Sequence, residues 1–169
     1  MKENPMREIR IEKVTLNMGC ASDKNKLERA QKLLEKITGQ KPIITRTIKR
    51  TTFGMARKKP IGVKVTLRKE RAEKFLKGVL SAVDNELKEN QINGDNFSIG
   101  IKEYIDLPGT EYDPDVGMMG MDVSVTLERP GFRVKRRKMK RSKVGKKHLI
   151  SKKETIEWLK KNFGVRISE

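Results

Sequence analysis

The 169-residue chain is poor in the residues that usually carry chemistry. Cys20 is the only cysteine, so an internal disulfide is excluded, and one histidine, His148, cannot complete a Cys/His cluster for structural zinc. A reducing, intracellular setting is expected. Aromatic residues make up 5%. Phe75 and Phe163 fall on apolar helix faces and Phe97 in strand register, which leaves no stacking platform of the kind that reads single-stranded RNA. The longest apolar runs are two or three residues, too short for a membrane-spanning helix. Met1 to Glu12 is charged throughout, so no secretory leader is expected.

Negative charge is scarce in two stretches and concentrated between them. The chain holds 40 Lys+Arg against 22 Asp+Glu, a formal charge of +18 with pI near 10.1. Residues 41–71 contain eleven basic residues and one acid, Glu70, and residues 129–147 contain eleven basic residues and none. Residues 84–128 carry eleven acids and two lysines. Self-repulsion at +18 opposes compaction unless a polyanion neutralises it, and two nearly acid-free blocks indicate dedicated contact surfaces for nucleic acid.

Val14, Leu16 and Met18 alternate with Thr15 and Asn17, the pattern of a half-buried strand. Ser22 or Asp23 caps a helix with Leu27, Ala30, Leu34 and Ile37 on one stripe, stopped by Gly39. A second strand is expected over Ile43 to Arg50, a basic loop over Thr51 to Pro60, and an alternating strand over Ile61 to Leu67. A long helix comes next, marked by Ala72, Phe75, Leu76, Val79, Leu80, Val83 and Leu87. Strands at Phe97–Ile101 and Met119–Leu127 flank an acidic Pro/Gly loop. A basic arm then leads to a helix opened by the capping box Ser151-x-x-Glu154. The expected class is α+β: a mostly antiparallel open sheet with helices packed on one face, a long basic loop, and a C-terminal basic arm with a short helix. Residues 1–130 are expected to form the RNA-binding core and residues 131–169 the arm and terminal helix.

If helices cover one sheet face, the other carries Thr15, Asn17, Lys64, Thr66, Arg68 and Lys102, with Arg46 or Thr45 nearby. Cations there supply affinity for phosphate, while amides and hydroxyls supply fit to folded RNA. Catalysis finds no constellation. His148 has no partner at defined spacing and is expected to be solvated or next to phosphate. Cys20 reads as a small residue at a strand–helix turn, and Asp113-Pro114-Asp115 as a turn rather than an acid/base pair or metal site. Gly145-Lys146-Lys147 lacks the first Gly and last Ser/Thr of a P-loop. Gly117 to Gly120 matches a bare GXXG that leads into a strand rather than joining two helices, so a KH reading is weak. No cofactor, metal or small-molecule substrate is expected. Two rivals are a general basic architectural protein and an RNA-modifying enzyme.

The stretches Ile11-Glu12-Lys13-Val14-Thr15-Leu16-Asn17-Met18-Gly19, Gly39-Gln40-Lys41-Pro42-Ile43-Ile44-Thr45 and Pro60-Ile61-Gly62-Val63-Lys64-Val65-Thr66-Leu67-Arg68 resemble the family of large-subunit ribosomal protein five. Asn96 to Glu103 and the Gly-x-Asp-Val segment Gly120 to Val123 continue the resemblance, which spans about residues 8–130 in unbroken order. The tail resembles the archaeal and eukaryotic branch, and the chain lacks the bacterial branch's N-terminal helical extension. The resemblance implies a cytoplasmic, ribosomal, non-enzymatic protein of the central protuberance. Its implied partners are 5S rRNA, large-subunit rRNA, the P-site tRNA and neighbouring ribosomal proteins, including one of the small-subunit head. By motif, Asn17, Gln40 and Thr66 resemble the family's 5S-contacting residues, with Lys64, Arg68 and Arg46 adding charge. The loop residues Lys49, Arg50, Arg57, Lys58 and Lys59 resemble the segment that reaches toward tRNA. Arg133, Lys135, Arg136, Arg137, Lys138, Lys140 and Arg141 are the expected rRNA-binding cations of the arm. The acidic loop Glu111 to Asp115, poorly suited to RNA, is expected to face a basic ribosomal protein.

Overall fold

A computed structural model describes residues 4–21, 23–48, 50 and 56–168. Strand β1 (Arg10–Gly19) turns into helix α1 (Lys24–Thr38), followed by strands β2 (Ile43–Arg46) and β3 (Pro60–Leu67) and helix α2 (Glu70–Ala82). Short strands β4 (Glu86–Lys88) and β5 (Ile92–Asn93) precede β6 (Asn96–Ile101) and β7 (Met121–Glu128). The chain closes with a four-residue helix α3 (Arg133–Arg136), helix α4 (Lys152–Phe163) and strand β8 (Arg166–Ser168). Among the described residues the strands form a mostly antiparallel open sheet in the order β2-β3-β1-β7-β6-β5 and a parallel pair, β4-β8. The class is α+β, as the alternation of strands and helices leads one to expect.

The chain divides into two compact units. Thr15–Leu67 and Ile99–Ser124 form one; Met1–Val14, Arg68–Ser98 and Val125–Glu169 form the other. In the first of these, Leu16 and Met18 of β1 and Val63, Val65 and Leu67 of β3 are buried, with α1 packed against β3. The Asp23 carboxylate caps α1 by accepting from the Asn25 N–H at 3.0 Å, and Gly39, at φ 62°, ends the helix in the left-handed region. Leu33 joins Leu27, Ala30 and Leu34 in the core of α1, whereas Ile37, expected on the stripe, is only half-buried. Strand β2 stops at Arg46, short of the expected Arg50. Its register against β3 shifts between Thr45 and Arg46, and Ile43 (64% exposed) and Ile48 (81%) have no core to bury in.

In the other unit, α2 ends at Ala82 and not at Leu87. Asp84 and Asn85 take φ of 52° and 56°, the left-handed region that short Asx side chains tolerate, and so break the helix. Leu87 is buried as expected, but from β4, which pairs with β8 after the Arg166 N–H bonds the Asn85 carbonyl at 2.8 Å. Burying one leucine contributes roughly 1.5–3 kcal/mol, which helps hold this three-residue strand in place. The capping box of α4 forms as expected, with Ser151 and Glu154 bonded reciprocally and Gly164 at the C-terminus. Helix α4 is held by the Thr155 hydroxyl donating to the Gly94 carbonyl at 2.6 Å and the Trp158 indole N–H donating to the Ile9 carbonyl at 3.0 Å.

Candidate nucleic-acid interface

The sheet residues of the unit built on β2 and β3 sort by alternation. Where Leu16, Met18, Val63 and Val65 point inward, Thr15, Asn17, Lys64 and Thr66 point outward; Asn17 and Lys64 are exposed, Thr15 and Thr66 half-buried. Strands β1 and β3 are neighbours, so Asn17, Lys64 and Thr66 share one surface. The β2–β3 register sets Ile43 opposite Lys64 and Thr45 opposite Gly62. Gly62 makes this approach possible, since a Cβ there would stand 2.5 Å from the Met18 carbonyl oxygen and 3.1 Å from the Thr45 hydroxyl. Thr45 therefore joins the outward set, while Arg46, exposed beyond the register shift, lies opposite Pro60. Gln40 is half-buried in the turn after α1, where its N–H lies 3.3 Å from the Thr38 hydroxyl oxygen. Lys102, just after β6, is exposed. So is Asp122 of β7, an acid absent from the expected outward set.

The base of the basic loop is organised by Thr47. Its backbone exchanges hydrogen bonds with Lys58 and Lys59 at 2.9 Å, and its hydroxyl donates to the Ala56 carbonyl at 2.8 Å. The Arg57 guanidinium donates to the Ile48 carbonyl at 3.1 Å, and Arg50, Lys58 and Lys59 are exposed. Lys49 lies outside the described residues.

In the other unit, Arg68 is exposed at the end of β3, and the arm comes after β7. Its eleven cations are not equivalent. Arg129 is buried, 5% exposed, and its guanidinium donates to the carbonyls of Arg7, His148 and Leu149 (3.2–3.4 Å) and to the Glu154 carboxylate at 2.7 Å. Arg136 bridges the carboxylates of Glu12 and Glu128. Arg133, Lys135, Arg137, Lys138, Lys140 and Arg141 are exposed, and none is ion-paired among the described residues. Arg136, expected among the rRNA-binding cations, and Arg129, counted only in the basic block, are both set apart by acids outside that block: Glu12 and Glu128 for the first, Glu154 for the second. His148 also departs from expectation. Its Nε2–H donates to the Pro130 carbonyl at 2.9 Å and its ring packs edge-on against Phe132 with centroids 5.7 Å apart, so the half-buried imidazole is fixed by packing and is not freely solvated.

The acidic loop divides likewise. Asp113 is an internal brace: it accepts from the Lys36 ammonium at 3.3 Å and the Asp115 N–H at 3.2 Å, while its own N–H donates to the Tyr104 hydroxyl at 2.8 Å. Glu111, Tyr112 and Asp115 are exposed. Burial, with a further push from Asp23, raises the Cys20 thiol above its ordinary value, the opposite of an activated nucleophile. Among the described residues no group of three or more His, Cys, Asp or Glu side chains is arranged to hold a metal ion, and no helix is long and apolar enough to cross a membrane. A cleft of about 950 Å³ beside Trp158 mixes Arg7 and Lys161 with Glu8, Glu154 and Glu157, so its charges largely cancel.

Residues 4–52 match the family described as ribosomal protein L5, and residues 60–158 the C-terminus of the ribosomal L5P family. The large ribosomal subunit protein uL5 of Nanoarchaeum equitans is 50% identical over 167 residues, which cover 98% of this chain and 99% of the relative. That of Sulfurisphaera tokodaii is 48% identical over 171 residues (98% and 96%), and that of Archaeoglobus fulgidus 48% over 160 (93% and 89%).

Proposed function

The chain belongs to the ribosomal protein L5 family, a structural component of the large ribosomal subunit and no enzyme, and from that premise we propose how its surfaces divide among partners. The outward sheet face docks 5S rRNA. The observation that carries this is the shared surface of Asn17, Lys64 and Thr66 on adjacent strands, where neutral hydrogen-bonding groups and a cation stand together without a stacking aromatic. Gln40, Thr45 and Arg46 extend this surface, and Arg68 adds charge for the same RNA. The basic loop ending in Arg57, Lys58 and Lys59 reaches toward the P-site tRNA, using charge and backbone to read a shape common to all tRNAs. The exposed cations of the arm engage large-subunit rRNA. Glu111 and Asp115, free of the bracing role that occupies Asp113, face a basic protein at the bridge to the small-subunit head. The protein resides with the ribosome in the cytoplasm.

Binding of a 5S rRNA transcript across a salt series tests this division. Asn17→Ala or Thr66→Ala is expected to weaken binding by roughly 1 kcal/mol, about fivefold, with the salt slope unchanged, because a neutral hydrogen bond is lost. Lys64→Ala is expected to reduce the slope by up to about 0.9 on the duplex-DNA scale, because one phosphate contact is lost. A reduced slope in the two neutral variants would sink the assignment.

A further inference from the structure

We propose that Glu12 and Glu128 are positioning residues: acting through Arg136, they hold segment 132–142 as a preformed loop, so that Arg136 orients the arm instead of contacting RNA. The inference rests on the reading that the arm binds rRNA.

The geometry of Arg136 separates it from its neighbours. One guanidinium nitrogen meets Glu12 and the other meets Glu128. Both carboxylate side chains are 10% exposed, so little water reaches them. The second oxygen of Glu128 already accepts from Arg10 at 2.8–2.9 Å. A phosphate approaching Arg136 would meet two enclosed carboxylates at close range, and pulling Arg136 away would leave Glu12 with only the Lys13 ammonium at 3.8 Å and Glu128 with only Arg10. Both outcomes are unfavourable, since the carboxylates repel the phosphate and a largely desolvated carboxylate loses its closest cation. The side chain therefore stays where it is when RNA arrives.

The segment on either side of Arg136 is also tied. Gly131, at φ 95°, makes the turn that brings Phe132 into the core, 4% exposed and against His148. The Ser142 N–H donates to the Val134 carbonyl at 3.2 Å, closing the loop, and the Arg137 Nε–H donates to the Lys140 carbonyl at 2.7 Å, bracing its tip. Lys138, Lys140 and Arg141 are thus displayed on a closed loop with one anchored root. Order established before contact removes the entropic cost of fixing the loop from the binding step.

Charge arithmetic and positioning predict opposite signs, which makes the double variant Glu12→Gln/Glu128→Gln decisive. It removes two negative charges and frees Arg136. If charge alone governs the arm, the full-length variant binds a large-subunit rRNA transcript more tightly and with a steeper salt slope. If the carboxylates position the arm, affinity falls about tenfold, and tryptic cleavage within residues 133–141 of the RNA-free protein accelerates about tenfold while circular dichroism stays unchanged. Unchanged cleavage, or tighter binding, overturns the proposal. Should the double variant lose its circular dichroism signal, Arg136→Lys takes its place. It keeps the charge but cannot reach both carboxylates, so it is expected to show the faster cleavage, and wild-type cleavage in this variant would equally overturn the proposal. The quadruple variant Arg137→Ala/Lys138→Ala/Lys140→Ala/Arg141→Ala tests the underlying reading separately. If it binds rRNA as well as the wild type, the arm is not an RNA contact, while the cleavage result still decides whether the carboxylates order it.

Discussion

At Gly62 one added methyl group has nowhere to go. The nearest atom to an added Cβ, the Met18 carbonyl oxygen at 2.5 Å, belongs to the backbone of β1 and cannot swing aside. Gly62→Ala is expected to destabilise the protein by about 1–3 kcal/mol, the usual cost of forcing volume into a packed site, measured as a lower denaturation midpoint in urea at unchanged m-value. The same substitution separates the Thr45 hydroxyl from the surface of Lys64, so 5S rRNA binding is expected to weaken beyond the stability loss. The special role of this residue was only partly legible. Alternation placed Gly62 outward in β3 correctly, but that β2 and β1 crowd it from both sides depends on strand order and register. Neither leaves a local trace in the chain. Arg129 teaches the complementary lesson. It sits in an acid-free basic block, and nothing in that block reveals that three backbone carbonyls and Glu154 enclose it.

At the N-terminus of helix α4, Glu154 does two tasks at once, accepting from the Ser151 cap and from Arg129. Its carboxylate is held below the ordinary value of 4.5, first by the Ser151 backbone N–H at 2.9 Å, then by Arg129 and the Ser151 hydroxyl, against an opposing effect of burial. A lowered pKa means the folded state favours the ionised form. The stabilisation is therefore complete above pH 4.5 and is lost as pH falls through the lowered value. Thermal melts between about pH 3 and pH 7 are expected to show Glu154→Gln less stable than the wild type at neutral pH, with the gap closing below pH 4.5. A gap independent of pH would mean that the carboxylate's charge contributes nothing. Ser151-x-x-Glu154 announced this element because both partners lie within one turn. The end of α2 was less legible, because the apolar stripe continues through Val83 to Leu87 while Asp84 and Asn85 turn the backbone away. Periodicity records which residues are buried and not which element buries them. The β4–β8 pair, three residues on each side and about eighty residues apart, is too short to have a periodicity at all.

The net charge of +18 acts at the scale of the whole molecule. Exposed like charges repel over distances screened at about 10 Å in 0.1 M salt, so the free protein is expected to melt at a higher temperature as ionic strength rises from about 10 to about 150 mM. A bound polyanion should do more: at an RNA concentration about 100 times Kd, linkage adds about 2.7 kcal/mol to the stability of the folded state. Calorimetry of the protein with and without 5S rRNA measures both effects, and a melting temperature insensitive to salt would show that the charge is already neutralised internally. The broad assignment was legible because charge blocks and ordered strand motifs are properties of the chain itself. The allocation of individual cations was not, since pairing with Glu12, Glu128 or Glu154 is decided only by folding. One further consequence concerns the protein before it meets RNA. Strand β2 ends the sheet, with a strand partner on one side only among the described residues and with Ile43 and Ile44 open to water. Such an edge is a template on which another chain can add a strand, and Ile43-Ile44-Thr45 has the β-branched composition that favours it. The register shift at Thr45/Arg46 and the flanking Lys41 and Arg46 interrupt that template. Both features therefore make the β2 edge a poorer template for strand addition by a second copy than its apolar residues alone would.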